Sequence, residues 1–190
     1  LGACILPQQD SVELQKNFTK IAATVYTNVS TPTQYAAITV YEPNEEIDEY
    51  FIITRNIHRM MGLFMSDQFN QIDGVRATIP KGGFYFYADF NQLAPQLRSK
   101  GVMTSNELGH SLLSHPFHIA TVTGDAVMLQ PDDYGARIAF VDYNGKETFE
   151  NYKQSPPQSK EEELEFVQRN APRMVGGVEK LKQYVAWLKE

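Results

Sequence analysis

The chain has 190 residues, a hydrophobic content of 42% and a formal charge of −6. These values fit a globular protein with one good core, and the acidic balance argues against a nucleic-acid or anionic-membrane surface, which needs clustered basic residues. No apolar run approaches the roughly 20 residues of a membrane span, and no signal-peptide pattern is visible. The single cysteine, Cys4, cannot form an internal disulfide, which favours a cytoplasmic location.

The first part of the chain carries signals for one strand followed by helices. Each helix has a capping residue or a proline near its start, and apolar residues recur inside it at spacings of three and four. The predicted elements are a strand over Leu1–Leu6, helices over Ser11–Ile21 and Thr31–Val40, and a long helix from Pro43 to Phe69. The methionines of the long helix lie at spacings typical of core packing, so we do not expect them to bind a cofactor.

After Gly74 the pattern changes from helical to strand spacing. The predicted strands are Val75–Ile79, Phe84–Ala88, Ile119–Thr123, Ala126–Leu129 and Arg137–Val141, with a helix over Asn106–Leu113 between them. Such an alternation predicts an α+β layer, a small mixed sheet with helices on one face.

The last part of the chain is polar before it becomes helical again. Residues 145–177 carry an insertion that begins with Gly145–Pro157, for which the prolines and polar residues predict a mobile surface loop. Lys160–Leu188 is predicted to be a helix interrupted around Ala171-Pro172, and Glu161-Glu162-Glu163 near its start suits the helix dipole.

Arg137 is the most suggestive single residue. It begins an apolar strand directly after the loop Pro131–Gly135, a position where ligand contacts are common. A guanidinium is a planar fork that matches a carboxylate in bidentate fashion, so Arg137 is a candidate carboxylate ligand. The alternative is a surface arginine that pairs with Asp132, Asp133 or Asp142.

A second segment, Pro80–Phe90, places two glycines before an alternating aromatic run. The glycines permit a tight turn, and the run from Phe84 to Tyr87 has the pattern of a strand buried on one face. For Tyr85 and Tyr87 we expect core packing of the rings with the hydroxyls at the surface.

Taken together, these segments resemble the C-terminal part of the fold-type I, pyridoxal-phosphate-dependent class I/II aminotransferases. In that family a segment P-x-G-G-F-Y opens the small domain, and a strand R-I-x-F carries the arginine that binds the substrate α-carboxylate. The matching residues here are Pro80, Gly82, Gly83, Phe84 and Tyr85, then Arg137, Ile138 and Phe140. The resemblance covers Leu1 to about Asn144.

The resemblance implies a fold, a division into domains and a reaction. Residues 1–50 would be the C-terminal remnant of the large cofactor domain with the start of a bridging helix, and residues 51–190 would be the small domain. The implied reaction transfers an amino group between an amino acid and a 2-oxo acid on pyridoxal 5′-phosphate, in a homodimer. Arg137 would bind the α-carboxylate. Asn28 matches a family position near the active-site subunit interface, although a turn-forming asparagine beside Ser30 explains it equally well.

The cofactor lysine of the family has no counterpart in this chain. Lys16, Lys20 and Lys81 do not stand in the family's S-x-x-K context. We therefore expect this chain to be a C-terminal fragment of a longer enzyme. The fragment would contain no catalytic residue and would be inactive alone. An N-terminal targeting signal of the longer enzyme would not be visible in such a fragment. The alternatives are another pyridoxal-phosphate enzyme on the same fold, such as a lyase, decarboxylase or synthase, and a non-catalytic aminotransferase-like binding domain. Which amino acid is the substrate stays open.

Three histidines close in sequence, His110, His115 and His118, are the main candidates for a metal site. Their spacing does not match a helical H-x-x-x-H pair, and no carboxylate or thiol completes a ligand set. We predict no metal site here.

Overall fold

A computed structural model describes residues 5–9, 11–25 and 28–190. The chain divides into two compact units, Leu1–Tyr50 and Phe51–Glu190. Within the described ranges, no helix combines the length and the apolar character that crossing a membrane demands. Cys4 and most of the predicted strand Leu1–Leu6 lie outside these ranges, and Ile5 and Leu6 are in irregular structure.

The first unit is helical. It contains α1 (Ser11–Val25), α2 (Thr31–Tyr41) and the beginning of α3 (Glu45–Asn70). No residue of α1 or α2 is buried, and large apolar side chains such as Val12, Tyr35 and Tyr41 are mostly exposed. The helices predicted for this region are confirmed.

The second unit contains the rest of α3 and a series of shorter elements. The helices are α4 (Ala94–Ser99), α5 (Ser105–Leu113), α6 (Gly145–Gln154), α7 (Lys160–Asn170) and α8 (Pro172–Leu188), and the strands are β1 (Arg76–Ala77), β2 (Tyr85–Asp89), β3 (Val122–Thr123) and β4 (Gly135–Ala139). A capping box starts α5, in which the Thr104 hydroxyl accepts from the Glu107 amide and the Glu107 carboxylate accepts from the Thr104 amide.

The four described strands form one sheet in the order β1-β2-β4-β3. Every neighbouring pair is antiparallel, so the expectation of a mixed sheet is wrong in this respect. The register places Tyr85 opposite Ala139 and Tyr87 opposite Arg137, and Arg137 also faces Val122 on the other side. The central strands β2 and β4 therefore carry most of the sheet.

One face of the sheet packs against the helices, as the α+β prediction requires. Phe86 of β2 makes an edge-on contact with Phe69 of α3, with ring centroids 5.0 Å apart. Gly109 lets α5 approach β3, because a Cβ atom there would lie 2.3 Å from Cγ2 of Thr123. Met60, Met61 and Met65 are buried in this core, as their spacing predicted.

Two elements differ from the sequence prediction. The segment predicted as a mobile loop begins with α6, whose first turn is capped by the Asn144 side chain accepting from the Glu147 amide at 3.2 Å. The predicted strand Ala126–Leu129 is instead a short 3-10 helix, Asp125–Val127, followed by Met128 with a left-handed φ of 72°. Asp125 is held there by Ser105, whose hydroxyl oxygen accepts from the Asp125 amide at 3.1 Å. The predicted helix break near Ala171-Pro172 is confirmed, since α7 ends at Asn170 and α8 begins at Pro172.

Candidate functional site

Arg137 lies in the middle of β4 and faces away from the helical core. Its neighbours Ala136 and Ile138 are buried in the core, and side chains alternate along a strand, so Arg137 belongs to the opposite face. On that face its neighbours from β2 are Tyr85 and Tyr87, because Phe86 points into the core. The open face of the sheet therefore carries Arg137 and two tyrosines, together with Arg76 of β1 and Asp89 of β2, which lie opposite each other.

The Arg137 side chain packs on an aromatic ring. Its Cζ atom lies 4.2 Å from the centroid of the Tyr85 ring, which is a cation–π distance. Its Nε atom is buried and has no hydrogen-bond partner among the described residues. A buried donor without a partner costs about 1–3 kcal/mol. The two Nη atoms are not among the buried donors, so they are the part of the guanidinium that an acceptor from solvent can reach.

The carboxylates that could neutralise Arg137 as a surface ion pair have other partners. Asp142 accepts a hydrogen bond from Nε of Arg173 at 2.8 Å. Asp133 accepts a hydrogen bond from the side-chain nitrogen of Asn91 at 2.6 Å. Neither Asp132 nor any other acidic residue of the described chain forms a salt bridge with Arg137. The described residues therefore show none of the ion pairs that the surface alternative predicts for Arg137.

A hydrogen-bonded network lies beside Arg137 on the same face. The Tyr87 hydroxyl donates to Asp133 at 3.3 Å, and the Asn91 side-chain oxygen accepts from the Tyr134 amide at 3.0 Å. Burial first, and then the negative charges of Asp133 and Asp89, raise the pKa of Tyr87 to about 12. Tyr87 is therefore a neutral hydrogen-bond donor near neutral pH.

Gly135 fixes the direction of the Tyr87 ring. A Cβ atom at Gly135 would lie 1.9 Å from the Tyr87 hydroxyl oxygen and 2.4 Å from Cζ, so the ring occupies the space that a side chain would fill. Tyr87 therefore lies over Gly135 and Tyr85 lies against Arg137. The expectation that both rings pack in the core is wrong, because β2 turns them to the other face.

The other sequence candidates are not part of this cluster in the described structure. Asn28 is exposed and lies between α1 and α2 in the first unit, and its role at a subunit interface stays a prediction. The rings of His115 and His118 are 5.6 Å apart. Within residues 5–9, 11–25 and 28–190, no group of three His, Cys, Asp or Glu side chains is placed to hold a metal ion.

Sequence reasoning missed the contact between Arg137 and Tyr85 and the hydrogen bond between Asn91 and Asp133. The aromatic alternation from Phe84 to Tyr87 already placed Tyr85 and Tyr87 on one face, but the pairing of β2 with β4 was needed to bring Arg137 to that face. Asp133 and Asn91 carried no local signal, because they are joined across 42 residues of sequence.

A comparison with protein families decides the assignment of this chain. The model of the family described as "Aminotransferase class I and II" matches residues 1–141. The chain belongs to this family. Arg137 lies inside the matched range, so the aminotransferase relationship covers both the sheet and its arginine.

Comparisons with individual proteins add little to the family assignment. No curated protein matches the chain. Among solved structures, the aspartate aminotransferase from Rhizobium meliloti is similar with a TM-score of 0.49 and 19% sequence identity. The alignment covers 88% of this chain and 36% of that aminotransferase, so the chain spans about a third of its length.

Aminotransferases of this family generally use pyridoxal phosphate, which is held by a lysine through an imine. A lysine that forms an imine is usually desolvated, which lowers its pKa. The lysines of the described chain are exposed, apart from the partly buried Lys182, whose ammonium pairs with Glu179 at 2.7 Å. We therefore derive no chemical step through the cofactor from these residues.

Proposed function

We propose that this chain is part of a pyridoxal-phosphate-dependent aminotransferase, in which Arg137 binds the α-carboxylate of the amino acid and of the 2-oxo acid. The observation that carries the proposal is the isolation of Arg137. It lies on the open sheet face, it forms no ion pair within the described residues, and the nearby carboxylates of Asp133 and Asp142 have other partners. A guanidinium that has no ion-pair partner can bind a planar anion such as a carboxylate through two parallel hydrogen bonds.

The role of Arg137 in this proposal is to position the substrate. A bidentate carboxylate fixes the plane of the substrate backbone, so the bond to the α-hydrogen keeps a constant direction relative to the reacting groups. The cofactor, its lysine and the group that moves the α-proton belong to the complete protein. We also propose that this protein is a homodimer, which sedimentation of the complete protein would test.

The experiment is a kinetic comparison in the complete protein. Arg137→Lys keeps the charge but loses the fork, and Arg137→Ala loses both. Charge-assisted hydrogen bonds contribute about 1.5–3 kcal/mol, so Arg137→Ala should raise KM for the amino acid roughly 10- to 100-fold. Arg137→Lys should lie between Arg137→Ala and wild type.

A matched control is available on the same protein surface. Arg173 is also an arginine, but its side chain is 69% exposed and forms an ion pair with Asp142. Arg173→Ala should leave KM unchanged, because exposed ion pairs contribute little. An unchanged KM in Arg137→Ala would refute the assignment. If the complete protein released carbon dioxide or ammonia from the amino acid without transamination, another pyridoxal-phosphate reaction would replace the proposed one.

A further inference from the structure

The ring of Tyr85 lies against the Arg137 guanidinium. The two residues are diagonal neighbours on β2 and β4, since Tyr85 lies opposite Ala139 and Arg137 lies opposite Tyr87. The small side chain of Ala139 leaves room for the Tyr85 ring to lean towards Arg137. The guanidinium carbon of Arg137 lies over the Tyr85 ring, 4.2 Å from the ring centroid.

A second ring, that of the preceding residue Phe84, packs against the Tyr85 ring. The centroids of Phe84 and Tyr85 are 4.2 Å apart with an interplanar angle of 44°. Both rings are partly exposed, at 42% for Phe84 and 37% for Tyr85, so the hydrophobic core does not fix them. The contacts with Phe84 and Arg137 therefore define where the Tyr85 ring lies.

The burial pattern of Arg137 limits how a carboxylate can approach. The Nε atom is inaccessible to solvent, whereas the side chain as a whole is partly exposed. A carboxylate arriving from solvent therefore meets the terminal edge formed by Nη1 and Nη2 before it can reach Nε. End-on pairing through the two Nη atoms is the geometry that requires no rearrangement of the strand.

Building on the carboxylate site proposed above, we propose that Tyr85 is a positioning residue, whose ring holds the Arg137 guanidinium with its Nη1–Nη2 edge towards the substrate carboxylate. Without the ring, the long arginine side chain can rotate into other conformations and must be ordered again when substrate binds. The tyrosine hydroxyl takes no part in this contact, so a phenylalanine should serve equally well.

The kinetic test uses two substitutions in the complete protein. Tyr85→Phe keeps the ring and should keep the wild-type KM for the amino acid. Tyr85→Leu removes the ring and should raise KM about 3- to 30-fold, from the range of cation–π contributions, with kcat unchanged. A wild-type KM in Tyr85→Leu, an effect on kcat alone, or equal damage by Tyr85→Phe would each overturn the positioning role.

A spectroscopic test needs no substitution and follows the complete protein directly. In nuclear magnetic resonance spectra, the Nε–H signal of Arg137 should be shifted upfield by the Tyr85 ring and should exchange slowly with water. On titration with acetate, the Nη signals should shift more than the Nε signal. A random-coil Nε–H signal would overturn the stacking even if Tyr85→Leu failed to fold, and a larger response at Nε would overturn the end-on geometry.

The two proposals fail in distinguishable ways. If Arg137→Ala leaves KM unchanged, or if acetate shifts none of the Arg137 side-chain signals in wild type, the carboxylate site itself is wrong. If Arg137→Ala weakens binding but Tyr85→Leu does not, Arg137 binds the carboxylate without help from Tyr85, and only the positioning role is overturned.

Discussion

The substitution Gly135→Ala tests the packing of the site most directly. Gly135 lies in β4 with a φ outside the left-handed region, so alanine can adopt its backbone conformation. The obstacle is the Tyr87 ring, because the new Cβ atom would lie 1.9 Å from the hydroxyl oxygen and 2.5 Å from Cε2. The ring must therefore move away, and its hydrogen bond to Asp133 at 3.3 Å must break.

The magnitude follows from these two losses. Inserting a methyl group into a filled site costs typically about 1–3 kcal/mol. Losing the hydrogen bond adds roughly 1 kcal/mol, and the alanine itself returns about 0.5–1 kcal/mol because glycine is unfavourable in a strand. We expect Gly135→Ala to lower the free energy of unfolding by about 1–3 kcal/mol.

A double-mutant cycle in urea denaturation separates the clash from other effects. In a Tyr87→Ala background the space above Gly135 is empty, so Gly135→Ala should become neutral or stabilising by up to about 1 kcal/mol. The coupling between the two positions should therefore exceed about 1 kcal/mol. If Gly135→Ala cost the same in both backgrounds, the Tyr87 ring would not occupy the space over Gly135, and the description of this face would be wrong.

Two further predictions concern stability. Because the folded-state pKa of Tyr87 is about 12 against an ordinary value of 10.0, its contribution to stability is complete below about pH 10 and is lost as the pH rises towards 12. Urea denaturation at alkaline pH should show this loss in wild type and a smaller one in Tyr87→Phe, and equal pH profiles would contradict the pKa shift. On α5, Leu108 is fully buried and Leu113 is 51% exposed. Leu108→Ala should destabilise the protein by about 2–5 kcal/mol and Leu113→Ala by less than about 1 kcal/mol in the same assay, and similar losses would show that α5 packs through another face.

The long helix α3 was easier to predict from sequence than the polar helix α6. The long helix α3 carries its apolar residues at regular spacings, so its existence follows from the pattern alone. The helix α6 was missed although it has a local signal, since Asn144 and Glu147 stand at the N-cap and third helical positions. The polar character of the segment concealed it, because only Thr148 of α6 is buried.

The 3-10 helix after β3 was missed because its local sequence predicts a strand. Its sequence has the apolar residues of a strand, but Ser105 holds Asp125 across 20 residues and Met128 turns the chain. Such a long-range contact overrides local preference. The site has the same character, since Arg137 was identified from its own strand, while its contact with Tyr85 forms only in the folded sheet.

The short outer strands have a consequence for the arginine. With two residues each, β1 and β3 offer few free backbone groups at the sheet edges, so they are poor templates for a foreign strand. The inner pair is also protected against slippage, because a shift of one residue would turn Ile138 to solvent and force the charged Arg137 into the core. The apolar face of β4 therefore keeps the Arg137 side chain on the opposite face of the sheet.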